Sequence, residues 1–141
     1  MEGDPVSAVQ GLITAAELPE ALEAARANEA AFSIACSFGK SMDGRPVLYR
    51  QSDDGHGWFC VPYYVAAEVP GISRCSYMER DERVAYLEED CDIAAFMRHW
   101  HPVPILYASN PWAWWGAIYE IVEIVEPGES LIRRCPRFAY P

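Results

Sequence analysis

Three things are missing or scarce in this 141-residue chain, and each removes a class of function. No run of about 18 consecutive apolar residues occurs, which argues against a membrane-spanning helix. No C-x-x-C pair occurs among the five cysteines, Cys36, Cys60, Cys75, Cys91 and Cys135, so zinc-ribbon and thioredoxin-type readings fail on spacing. Basic residues are scarce: 11 Lys and Arg stand against 21 Asp and Glu, a formal net charge of -10. The phosphates of nucleic acid demand Lys and Arg, so direct nucleic-acid binding is not expected.

The opening "MEGDPVSAVQ" has no basic start and no long apolar stretch, so a secretory signal is not expected. The odd, widely spaced cysteines fit a reducing compartment with free, mostly buried thiols. A soluble, cytoplasmic protein is the expectation, without internal repeats or low-complexity segments. Hydrophobic residues make up 51% of the chain and aromatic residues 13%, enough for a packed core rather than a disordered acidic tail. At this length one domain, 1–141, is expected, with residues 1–12 as a loose arm.

"TAAELPEALEAARANEA" has the pattern of an amphipathic helix. Thr14 and Glu17 have capping-box spacing, and Pro19 marks an alternative start. "AFSIACSF" is a strand candidate ended by the turn-rich "GKSMDGRP". "VLYRQ" and "WFCVP" flank "SDDGHG" as a β-hairpin, which places His56 in a turn between Gly55 and Gly57. "YYVAAEVP" is a short helix, "RVAYL" a short strand, and "EEDCDIAAFMRHW" a helix with carboxylates in its first turn and Arg98 and His99 in its last. "ILYASNPWAWW" is an aromatic loop or edge, and "GAIYEIVEIVEP" the strongest strand, before the basic tail "LIRRCPRFAYP". The expected fold is α+β: a small, largely antiparallel sheet with an N-terminal helix and two short helices.

Four groups of residues are candidate sites. Glu88, Glu89, Asp90 and Asp92 could cap the helix, form an acidic contact surface, or bind a divalent metal. Neighbours one and two apart on a helix point in different directions, which favours the cap and leaves no metal expected. Cys91, between these carboxylates, is expected to be buried and inert, since they would raise its pKa rather than activate it. His56 could serve as a general base or a ligand, or simply occupy its turn. His99 and His101, two apart at a helix end, suit a strand chelate better than a helical one. Trp112, Trp114 and Trp115, with Trp100 nearby, divide between core and interface: three tryptophans in four positions cannot share one face of a strand.

"GHGWFCVPYYVAAEVPG" together with "AYLEEDCDIAAFM" resembles an uncharacterised domain family carried by phages and plasmids. That family has a His-Gly-Gly turn and a Tyr-Glu-Glu-Asp-Cys-Asp/Glu-Trp phrase. The likeness spans about 45 residues, and the chain departs from it at Trp58, where the family has Gly, and at Ile93, where it has Trp. The resemblance implies a mobile-element origin rather than a reaction. "VLYRQ" with "WFCVPYYVAAEV" and "AIYEIVEI" also resembles an ADP-ribosyltransferase core whose first strand ends in an Arg, here Arg50, although no glutamate-bearing catalytic motif follows.

The expectation is therefore a non-enzymatic, acidic binding protein of a mobile element, an anti-CRISPR or anti-restriction inhibitor working by protein contact or nucleic-acid mimicry. Its partner would have a basic surface, such as a nucleic-acid-binding defence complex. Glu88, Glu89, Asp90, Asp92, Trp112, Trp114 and Trp115 would form the contact, with no cofactor and no membrane. Two alternatives stand beside it: a small ADP-ribosyltransferase-like enzyme using His56 and Arg50, and an accessory structural domain.

Overall fold

Residues 15–141 are described by the computed structural model; the expected arm and the Thr14 end of the capping box lie outside them. The described chain is α+β. Helices α1 (Leu18–Ala27), α2 (Glu29–Phe38), α3 (Tyr63–Ala66), α4 (Asp92–Trp100) and α5 (Pro111–Ile118) accompany strands β1 (Val47–Ser52), β2 (Gly57–Pro62), β3 (Tyr77–Met78), β4 (Val84–Glu88) and β5 (Glu120–Val125). Pro19 stands in the first turn of α1, where its missing N–H would have had no helical partner anyway. Among the described residues no helix is long and apolar enough to cross a membrane.

The five strands form one sheet in the order β3-β4-β2-β1-β5. The hairpin forms as expected, with Gln51 opposite Trp58 and Ser52 opposite Gly57. β4 joins the far side of β2, placing Trp58 against Glu88 and Phe59 against Leu87. β5 runs parallel to β1, pairing Leu48 with Ile121 and Arg50 with Glu123. A parallel neighbour needs a long crossover, and the chain between β1 and β5 supplies it.

Strand alternation divides the sheet into two faces. Leu48, Phe59, Val61, Ala85 and Leu87 join the main core with Ile34, Ile93, Phe96, Met97, Trp114, Trp115 and Ile118 from the helices. The opposite face carries a smaller cluster of Trp58, Tyr77 and Ile132, closed by Tyr86 and Cys135. The basic tail therefore serves as a lid on the second face.

Two expectations fail. "AFSIACSF" belongs to α2 and is not a strand: Asn28 caps that helix by accepting from Ala31 N, and the buried Ala30, Ala31, Ser33 and Ile34 recur at helical spacing. Gly39 then stops it at φ +93°, a left-handed conformation that glycine takes without penalty. "PWAWW" is likewise the start of α5, not a loop or edge. Pro111 occupies the first turn of that helix.

Buried His101 and half-buried Asn28 tie the helical side together. Asn28 Oδ1 is occupied by Ala31 N, so its amide nitrogen donates, to Trp100 O at 2.8 Å and to His101 Nδ1 at 3.3 Å. The imidazole proton then sits on Nε2, which donates to Tyr119 Oη at 2.6 Å, while Trp115 Nε1 donates to the His101 carbonyl at 3.0 Å. Burial lowers the His101 pKa from 6.5 to about 3. His99 and His101 do not converge on one point: His101 is buried with both ring nitrogens engaged, and His99 is exposed.

Because the folded ring is harder to protonate than the unfolded one, its stabilisation is complete above pH 6.5 and is lost as pH falls towards 3. Denaturant unfolding should show stability falling by up to about 1.4 kcal/mol per pH unit through pH 5 to 4 on this account. His101→Phe should have a flatter profile over the same window; an unchanged slope would remove His101 as its source.

Candidate functional site

The acidic phrase is divided among three structural roles. Glu88 ends β4, Glu89 to Cys91 form a turn, and only Asp92 lies in the first turn of α4. Asp92 is 3% exposed and accepts from Ser73 Oγ at 2.7 Å, Ser76 Oγ at 2.5 Å and Ser73 N at 3.2 Å. The Glu88 N–H donates to Ser76 Oγ at 2.9 Å, so Ser76 relays the strand to the helix. Glu88 is itself 7% exposed, and its Oε1 accepts from Asp90 N at 3.0 Å and Cys91 N at 3.2 Å.

These contacts correct the expected acidic contact face. Glu88 and Asp92 are buried because they satisfy donors in the loop and turn, where each donor left without an acceptor would cost about 1–3 kcal/mol. Asp90 is exposed and Glu89 half-buried. The expected cap does not form: no side chain accepts from the first N–H groups of α4, and Glu88 instead accepts from the two N–H groups of the turn before it. Among the described residues no group of three or more His, Cys, Asp or Glu is placed to hold a metal ion.

The tryptophans divide in the same way. Trp114 and Trp115 are 3% and 1% exposed and belong to the core, which removes them from the expected contact set. Helical geometry explains this: α5 turns Trp114 and Trp115 inward and leaves Trp112 on its rim, 37% exposed. Trp112 stacks on Phe59 with ring centroids 5.4 Å apart and meets Trp115 edge-on at 4.9 Å.

Phe59 pairs with Arg50 across the hairpin, so Trp112 lies on the sheet face that carries Arg50. Arg50 holds Glu89 through Nη2 and Glu123 through Nη1 at 3.1 Å. Gly57 allows this close approach: a Cβ there would stand 2.7 Å from Glu89 Oε1 and 2.8 Å from Arg50 Nη2. Trp112 and the ion pairs of Arg50 with Glu89 and Glu123 thus share one face of the sheet, with Asp90 following Glu89 in the adjoining turn.

His56 belongs to the other face. Asp53 Oδ1 accepts from Gly55 N and His56 N at 3.0 Å each, an Asx-type turn. The same carboxylate takes Arg133 Nε at 2.7 Å and Ser130 N at 2.9 Å, contacts that hold its pKa well below the ordinary carboxylate range, Arg133 foremost. His56 is exposed, its ring 6.0 Å from Trp58, and among the described residues no carboxylate orients it. His56 and Arg50 are therefore not brought together, and the ADP-ribosyltransferase-like pairing lacks its geometry. Sequence reasoning missed Asp53, Ser73, Ser76, Arg133 and Arg137. Only the Asp-Asp-Gly turn and the concentration of Arg in the tail signalled them.

The cysteines also depart from expectation. Cys60 is buried, Cys135 is intermediate, and Cys36, Cys75 and Cys91 are exposed. Cys91 lies beyond the last residue of β4, in a turn that the core does not cover. Comparison with family models, with curated proteins and with solved structures gave no match.

Exposure does not make Cys91 reactive. Partial desolvation of its thiol, with the Glu88 and Asp92 carboxylates 3.4 and 3.6 Å from Sγ, pushes its pKa up to about 11. Thiol-specific labelling of Cys91, followed by peptide mapping, should be slow at pH 8 and still accelerating at pH 10, because the thiolate is the attacking form. A rate already at its plateau by pH 8 would contradict the carboxylate account.

Proposed function

We propose that the protein is a non-enzymatic binding protein that acts by contact with a basic protein surface, through the rim around Trp112. The observation that carries this reading is the Trp112 ring, stacked on Phe59 and 37% exposed, on the sheet face where Arg50 pairs with Glu89 and Glu123. A rigid aromatic anchor beside like-signed charges suits a partner patch that combines an apolar pocket with Lys or Arg. The net charge of -10 supports the same choice of partner, since it steers encounter with a basic surface and repels nucleic acid.

The contact set is accordingly Trp112, Glu89, Asp90 and Glu123, in place of the wider set expected from sequence. The likeness to phage- and plasmid-borne proteins supports a host-defence complex as the target. In that case the acidic chain would occupy a basic nucleic-acid channel in the host cytoplasm, as an anti-CRISPR or anti-restriction inhibitor. The enzyme alternative has less to support it: His56 lacks an orienting carboxylate, and Arg50 is engaged by two acids on the other face.

Pull-down from a defence-positive bacterial lysate, followed by binding kinetics on the captured protein, tests this. Asp90→Lys with Glu123→Lys should slow association and flatten its salt dependence, since rim charges mainly govern encounter. Trp112→Ala should cost on the order of 2 kcal/mol, about thirtyfold faster dissociation. If His56→Ala abolishes inhibition while both of those variants remain active, the contact reading is wrong.

A further inference from the structure

The two edges of the sheet are finished differently. At the β3 edge the C-terminal tail pairs with the strand: Met78 N donates to Pro136 O at 2.9 Å, Phe138 N donates to Ser76 O at 2.8 Å, and Tyr77 bridges Arg137. At the β5 edge no described residue pairs with the outer side of the strand. We propose that a second copy of the chain covers this edge, the two β5 strands pairing antiparallel about a two-fold axis at Val122 to make one continuous sheet.

The backbone is the first observation. Glu120 N donates to Pro46 O at 2.9 Å and Glu126 N to Ser52 O at 2.8 Å, so the even-numbered residues of β5 turn their N–H and C=O groups to β1. Ile121, Glu123 and Val125 alternate with them and turn theirs outward, where those groups have no partner among the described residues. Such an outward row of donors and acceptors is a template for another strand.

The side chains are the second. Ile124 and Val125 are exposed, and the strand carries neither Lys nor Pro, the residues that usually guard an edge. Its two carboxylates are matched within the chain: Glu120 accepts from Arg45 Nη2 at 2.5 Å and Glu123 from Arg50 Nη1 at 3.1 Å. Neither is left as a free charge to repel a second copy.

Self-pairing then selects the register. A closed two-fold pair of edges is antiparallel, and its outward-turned residues must face one another. With Val122 opposite its own copy, Ile121 faces Glu123 and exchanges both backbone bonds with it, while Glu120 faces Ile124. Every glutamate in the ladder then lies against an aliphatic side chain. An axis at Glu123 would instead set Glu123 against Glu123 and Glu120 against Glu126, and like charges directly opposite destabilise a sheet. An axis at Ile124 would set Ile121 against Pro127, which has no N–H to give. The pairing does not rest on the Trp112 contact, and it leaves both Trp112 rings on one side of the joined sheet.

Sedimentation velocity of the full chain over rising concentration should show the 15.8 kDa monomer giving way to a species of twice that mass. Added salt should strengthen this pairing, because each copy carries a net charge of -10, whereas it would weaken contact with a basic partner. Over the same range the Ile121 and Glu123 amides should gain protection from hydrogen exchange. At a non-hydrogen-bonded antiparallel pair the Cα atoms lie about 4.5 Å apart, within disulfide reach. Mild oxidation of Val122→Cys should therefore give a covalent dimer whose mapped link joins the two introduced thiols. Ile124→Cys should link no faster than the wild-type chain, which has its own exposed Cys36, Cys75 and Cys91. A chain that stays at 15.8 kDa at every concentration would overturn the proposal and leave the edge to a strand of another protein. Faster linking of Ile124→Cys than of Val122→Cys would also overturn it. So would equal protection of the Ile121 and Glu123 amides at all concentrations, which would mean that the chain covers its own edge. Sedimentation and exchange need only the wild-type protein, so they decide the matter even if a variant fails to fold.

Discussion

A buried carboxylate must be surrounded by donors, and the junction between β4 and α4 is built to meet that requirement for Asp92 and Glu88. Two serine hydroxyls and a backbone N–H converge on Asp92, and Ser76 passes the connection back to the Glu88 N–H. Glu88 in turn organises the tight turn that starts the helix. This arrangement fixes the loop before β3 against the sheet and sets where α4 leaves it. Its Ile93, Phe96 and Met97 then reach the core. Weakening these contacts would strand several polar groups at once, which makes the junction cooperative.

The same constraint determines what remains for function. Half of the acidic phrase is used internally, so the surface charge near it comes from Glu89, Asp90 and Glu123. Arg50 holds two of these in place without neutralising the rim. The two faces of the sheet then carry different chemistry: Trp112 and the Arg50 ion pairs on the helical side, and a mixed-charge recess under the tail, lined by His56, Glu88, Arg133 and Arg137, on the other.

Much of the fold was legible in the sequence, because its signals were local. The hairpin followed from two apolar runs around Asp-Asp-Gly-His-Gly, and β4, β5, α3 and α4 from their periodicity and punctuation. "AFSIACSF" misled because a short run of apolar and small residues suits either period; the Asn28 cap two residues before Ala30 was the deciding signal. "PWAWW" misled because aromatic residues favour strands in general, whereas Pro111 was marking a helix start. The contact face was only partly legible. Phe59 with Trp112, and Arg50 with Glu89 and Glu123, are brought together by tertiary packing between segments distant in sequence. No local pattern encodes such pairs.

The contact account stands or falls on which face of the molecule a partner covers. Hydroxyl-radical footprinting of the captured complex, read by mass spectrometry, measures this directly because Trp112 is an exposed and reactive ring in the free protein. The account predicts protection of Trp112 together with the Glu89–Asp90 turn, while His56 and Tyr140 keep their free-state reactivity. Protection confined to His56 and the C-terminal tail, with Trp112 as reactive as in the free chain, would contradict it.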